Sequence, residues 1–353
     1  MFRGRQFGSK KINGSMPICT YNNIMKRNYS WNEAQQRLFG IELELIAPKS
    51  NIFNINELIL TANEYFNNKY NIKFVDHKNK ISNKQSNVWS IEKDTSLATN
   101  PKEIGFEIVS PILTYNSDTI GLIENLCDYL YNDVGCYNNL SCGFHIHFDA
   151  NDLRIKDLTN ICINYAYFED VIDLFMNDDR KGNNNEFCRT LRHKSVIKDT
   201  ILNKHWDMLS NNNSLSILDT INPYRKNHKI NFRNAFYSRM NKMYNTQHKL
   251  PNTIENRHHH GTIYSKDIIN WITFNMLFIN SVLNKTDIFL FDDTNLNDSN
   301  YFGDEINNDK HKFYDTNDID TDKLIDLKNE LFNYINMDDC KYDISSFYEQ
   351  KMN

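Results

Sequence analysis

From residue 38 onward, apolar and polar residues alternate in short runs, each of which predicts a strand with one packed face and one polar face. In Cys142–Asp149, Phe144, Ile146 and Phe148 fall on one side, with His145, His147 and Asp149 on the other. Gly40–Ile46 sets Glu42 and Glu44 against Ile41, Leu43 and Leu45. Glu103–Val109 sets Glu103 and Glu107 against Ile104, Phe106 and Ile108. In Thr253–His259 the same period gathers Glu255, Arg257 and His259 on one side, and a weaker run, Trp89–Asp94, aligns Ser90, Glu92 and Asp94.

Between these runs the period lengthens. Helices are predicted over Asn56–Phe66, 117–131, Leu153 to about Met176, 185–203 and 265–284, with a turn at 178–182. Further strands are expected near 72–76 and 231–241. Strands and helices do not alternate regularly, which predicts an α+β domain on a largely antiparallel sheet. Residues 1–30 are basic and lack periodicity, so they read as a flexible tail. Residues 31–285 read as one domain, and 286–353 as an acidic appendage with a helix near 323–336.

A polar strand face is ordinarily just the wet side of an antiparallel sheet. These faces differ in composition: they offer Glu, His, Asp and one Arg, with almost no Lys, Thr or Gln. Carboxylates crowded on neighbouring strands repel unless cations lie between them, so the faces predict bound metal.

The 353 residues suffice for a sizeable core. A net charge of -5 and a pI near 6.1 give no indication of a nucleic-acid partner. The seven cysteines, at 19, 127, 136, 142, 162, 188 and 340, are odd in number and lack the paired spacing of a zinc site. No apolar run has the length of a membrane span, and the expectation is a cytoplasmic protein with reduced thiols and no membrane partner. Cys142, beside Gly143, reads as a small buried residue rather than a nucleophile.

In order along the chain stand Gly40-Ile41-Glu42-Leu43-Glu44, Glu92-Lys93-Asp94-Thr95-Ser96-Leu97, Glu107-Ile108-Val109-Ser110-Pro111, Cys142-Gly143-Phe144-His145-Ile146-His147, Arg180 and Thr253-Ile254-Glu255-Asn256-Arg257. This series resembles the amidoligase family of the carboxylate-amine ligase superfamily, distant relatives of glutamine synthetase, over residues 37–284. The resemblance implies a glutamine-synthetase-like core: a curved antiparallel sheet holding Mg²⁺ or Mn²⁺ and ATP on its concave face. It implies an ATP-dependent ligase that joins a small-molecule or peptide carboxylate to an amine through an acyl phosphate. Glu42 and Glu44 look like metal ligands, one for each ion, and Glu107 like a further one. His145 and Glu255 are similar to the pair holding the ion nearer the phosphates. His147 looks like the position close to nucleotide or acyl substrate, and Arg257 and Arg180 like the cations facing the phosphates. Asp94 or Glu92 is a candidate acceptor of the amine proton.

The chain also departs from that pattern. Alignment by Asn241 puts Phe236 where the family carries Arg, leaving Arg233 or Arg239 as substitutes. After Arg257 comes His258-His259-His260, which with His145 and His147 raises the alternative of a zinc hydrolase. Strand alternation opposes it, because His258 and His259 should face opposite ways. A kinase on the same sheet is another alternative. No Walker-type phosphate loop occurs, so ATP use rests on metals.

Overall fold

The computed structural model of the chain describes residues 37–79, 87–191, 227–235, 237–238 and 252–284, with isolated residues of a helical turn between 328 and 335. The basic tail, Arg239 and nearly all of the acidic appendage lie outside the described residues. Seven strands form one sheet: β1 (Phe39–Pro48), β2 (Lys73–Asp76), β3 (Val88–Lys93), β4 (Glu103–Val109), β5 (Gly143–Asp149), β6 (Ile230–Asn231) and β7 (Thr253–His260). Their order is β2-β3-β4-β1-β5-β7-β6. Every pair is antiparallel except β2 with β3. The four longest strands, β4, β1, β5 and β7, therefore lie side by side within the sheet.

The helices are α1 (Ile55–Tyr70), α2 (Ser117–Asp128), α3 (Ile155–Tyr167), α4 (Glu169–Asp173) and α5 (Ser265–Asn284). Asn54 caps α1 by accepting from the Glu57 N–H, and Asn116 caps α2 by accepting from Thr119. Leu58, Ala62 and Phe66 of α1, Ile123 and Leu126 of α2, Leu158 and Tyr165 of α3, and Trp271 and Phe274 of α5 share one core with the apolar strand face: Ile41, Leu43, Trp89, Phe106, Phe144 and Ile146. One face of the sheet is thus packed against helices, and the other carries Glu42, Glu44, Glu107, His145, His147 and Glu255. No described helix is long and apolar enough to cross a membrane.

Three expectations are corrected here. The strand predicted over 231–241 ends at Asn231, and Arg233–Ala235 are already helical, with the Arg233 guanidinium over the Tyr237 ring. The helix expected over 185–203 is an irregular loop in its described part, 185–191. The long helix over 153–176 breaks at Phe168 into α3 and α4, so that Glu169 and Asp173 turn inward.

Candidate metal and phosphate site

The strand register converts sequence alternation into a grid on the polar face. Glu92 of β3, Glu107 of β4 and Glu44 of β1 lie directly opposite one another in one row. The next row runs Val109, Glu42, His145, and the third Gly40, His147, Glu255, Asn231. Three glutamates in cross-strand register repel at close range, a cost that sheets otherwise avoid. The strain is visible at Glu107, whose carboxyl is pushed up to about 8 by burial first, then by the charges of Glu42, Glu44, Asp94 and Glu92.

Two groups of three donors stand on this grid. Glu44, Asp94 and Glu107 bring carboxylate oxygens within 4.8 Å of one another, as do Glu42, His147 and Glu255 with a ring nitrogen and two oxygens. Asp94 is oriented by its own turn, one oxygen accepting from the Ser96 N–H at 2.8 Å and hydroxyl at 2.6 Å. Glu255 is held by the Asn231 amide at 2.7 Å and by the Arg257 guanidinium. Burial works to raise Glu255, but Arg257, then His147 and His145, outweigh it and leave the carboxyl below its usual range. Burial likewise opposes protonation of His147, yet the charges of Glu42 and then Glu255 carry it up to about 9.

His145 Nδ1 lies 3.2 Å from Glu42 and its Nε2 3.6 Å from Glu44, so this ring stands between the two donor groups. His147 Nε2 lies 3.0 Å from Glu42 and 4.0 Å from Glu255, buried and without a hydrogen bond of good geometry. A buried donor atom left in this state, next to two carboxylates, fits a cation, as does the crowding at Glu107. An all-oxygen group suits Mg²⁺, and an imidazole in the other group also suits Mn²⁺.

Gly143 keeps the site open. A Cβ there would lie 2.6 Å from His145 Nε2 and 3.3 Å from both Glu44 Oε2 and Arg180 Nη2, and its N–H donates to Glu44. Gly143→Ala is therefore expected to push the His145 ring aside and weaken Mn²⁺ binding on the order of tenfold, as loss of support around metal ligands does. Calorimetry with Mn²⁺, alongside an unchanged circular-dichroism spectrum, measures it.

Arg180 is buried beside Gly143, its Nη2 donating to the Cys142 carbonyl at 2.7 Å while Nε lies 3.3 Å from Asp179. Cys142 itself packs with Ile46 and Leu97, and burial raises its thiol, which suits packing and not nucleophilic attack. The described cysteines are all unpaired and buried.

The His triplet behaves differently from expectation. Between Phe144 and Ile146 of β5 the partner strand advances three residues, from Asn256 to His259. This bulge adds one residue to β7 and inverts the alternation beyond it. His259 therefore leaves the face of Glu255 and Arg257 and packs against Phe144 and Trp271. His258 sits on the same packed side, with Nδ1 2.7 Å from the Tyr165 hydroxyl and Nε2 2.6 Å from Asp173. Neither joins His145 and His147, and among the described residues no group of three possible metal ligands includes a member of the triplet.

Sequence reasoning missed Asn231, which orients Glu255, because it falls outside the alternating runs. It also missed Lys229, Glu169 and Asp173, a buried ionic group beneath the site. The spacing of the two acids, four apart in an apolar helix, was the available signal.

A family model described as "Putative amidoligase enzyme" matches residues 35–279 of the chain. No curated protein and no solved structure matches it.

Proposed function

The chain belongs to the amidoligase family, and from that premise we propose that it is an ATP-dependent ligase joining a carboxylate to an amine. The observation that carries this reading is the pair of three-donor groups flanked by Arg180 and Arg257 on one sheet face. Glu44, Asp94 and Glu107 would hold one Mg²⁺ or Mn²⁺ and Glu42, His147 and Glu255 another, with His145 orienting Glu42 and Glu44 between them. When bound, the ions supply charge neutralisation to the phosphates of ATP. The substrate carboxylate attacks the γ-phosphorus, ADP leaves, and the amine then displaces phosphate from the acyl phosphate. Arg257 and Arg180 face the phosphates and stabilise charge on the transferred group. Glu92, beyond the donor groups in the first row, is the acid left to accept the amine proton.

The same geometry sets a pH dependence. Glu107 at about 8 and His147 at about 9 hold protons at neutral pH in the absence of cations, so ion binding must displace them. Mn²⁺ affinity is expected to rise about tenfold per pH unit between pH 6 and 8 for each ion. Calorimetry in two buffers of different ionisation heat counts the released protons, about one per ion; none released contradicts the grouping. The reaction itself is tested by incubating the protein with MgATP and pooled carboxylates and amines. The expected result is ADP with a product that has lost one water, detected by mass; ADP formation indifferent to the amine favours a kinase.

A further inference from the structure

Beneath the site, on the packed face of the sheet, Lys229 is completely buried, with Glu169 and Asp173 beside it. Its Nζ donates to Glu169 Oε1 at 2.8 Å and to Asp173 Oδ1 at 2.5 Å. Three charges withdrawn from water in this way stabilise a fold less than well-packed apolar side chains of the same size. What the ionic group provides is geometry. Each carboxylate gives its second oxygen to a backbone N–H of the loop that follows: Asp173 Oδ2 accepts from Gly182 at 2.8 Å, and Glu169 Oε2 from Leu191 at 2.9 Å. The two ends of the segment 182–191 are thereby tied to one lysine. Gly182 adopts φ of 51°, a conformation in which a side chain is strained, and thus presents its N–H to Asp173.

The same lysine reaches the site through its backbone. Its N–H donates to the Arg189 carbonyl at 2.9 Å and its carbonyl accepts from the Arg257 N–H at 2.8 Å. Within the tied loop, the Phe187 carbonyl accepts from Arg257 Nε at 3.4 Å, and Arg180 stands just before Gly182. His258 and Tyr165 extend the group: His258 Nε2 bonds Asp173, and Nδ1 faces the Tyr165 hydroxyl, which also receives the Asn256 amide at 3.2 Å.

We propose that Lys229, Glu169 and Asp173 are positioning residues that fix the loop 178–191, so that Arg180 is held toward bound phosphates and the Phe187 carbonyl keeps the Arg257 guanidinium in place. The proposal rests on the reading of the polar face as a metal–ATP site.

Glu169→Gln tests it, because the amide keeps the shape and an acceptor for Lys229 but turns a donor toward the Leu191 N–H. Calorimetry with Mn²⁺ alone and with Mn·ATP, on the full chain, separates the two layers. The expected result is Mn²⁺ affinity within twofold of wild type and Mn·ATP affinity about tenfold weaker. Arg180→Ala should weaken Mn·ATP to a similar extent, and the double variant should lose no more than Arg180→Ala alone, since one residue acts through the other. Additive losses, or unchanged Mn·ATP binding in Glu169→Gln with a clear loss in Arg180→Ala, would overturn the positioning role while leaving the site intact. Unchanged binding in Arg180→Ala would instead remove the phosphate-facing reading of Arg180, and the proposal with it. Should Glu169→Gln fail to fold, hydrogen exchange on the wild-type chain decides. The Gly182 and Leu191 amides are expected to be protected as strongly as those of β7, and exchange at loop rates overturns the proposal.

Discussion

Glu107→Gln is expected to stabilise the cation-free protein while eliminating one of the two proposed ion sites. The reason lies in where the Glu107 charge sits, opposite Glu44 on one strand and Glu92 on the other. With its folded value raised to about 8 from the usual 4.5, this group favours the folded state fully only below pH 4.5. That contribution is lost as pH rises to about 8 and stays lost above it. At pH 7 the shift corresponds to about 2–3 kcal/mol, discounted for partial exposure, which the neutral amide does not lose. Denaturant unfolding in chelator at pH 7 should therefore give Glu107→Gln the higher midpoint. In 5–10 mM Mn²⁺, concentrations on the order needed for weak carboxylate sites, wild type should gain stability and the variant markedly less. A carboxylate engaged in an ordinary salt bridge gives the opposite order in chelator.

The second large effect is expected at Arg257. Its guanidinium pairs with Glu255, and removing it leaves that buried carboxylate to His147, His145 and the Asn231 amide. A cation should then bind at Glu42, His147 and Glu255 as tightly as before, or more tightly. If Arg257 faces the transferred phosphoryl group, Arg257→Ala nevertheless lowers the rate of ADP formation on the order of 10²–10³-fold, with nucleotide binding nearly retained. Arg257→Lys keeps the charge without the planar fork and should fall between the two. Glu255→Gln is the complement, losing the ion and the chemistry together. Equal rates in wild type and Arg257→Ala would assign the phosphoryl-facing role elsewhere.

Much of this site was legible in the sequence because strands impose a period of two. Once Ile41, Leu43 and Leu45 are assigned to the core, Glu42 and Glu44 have only the other face, and the same holds for Glu107, His145, His147 and Glu255. Alternation also says which residues share a face but not which strands are neighbours. The grouping of Glu44 with Asp94 and Glu107, and of His147 with Glu42 and Glu255, comes from the strand order and register. His259 was misplaced because a single extra residue in β7 reverses the alternation, and a bulge leaves no mark in the period before it. The short β6 and the loop 185–191 escaped for a different reason. Their conformations are fixed by distant partners, Glu255 for Asn231 and Glu169 for Leu191, which no local pattern encodes.

The most direct test is anomalous diffraction from crystals soaked with Mn²⁺ and a non-hydrolysable ATP analogue. Two Mn²⁺ peaks are expected, one among Glu44, Asp94 and Glu107 and the other among Glu42, His147 and Glu255, with the phosphates between them and the two arginines. Mn²⁺ bound elsewhere on the chain, with neither group occupied, would contradict the account.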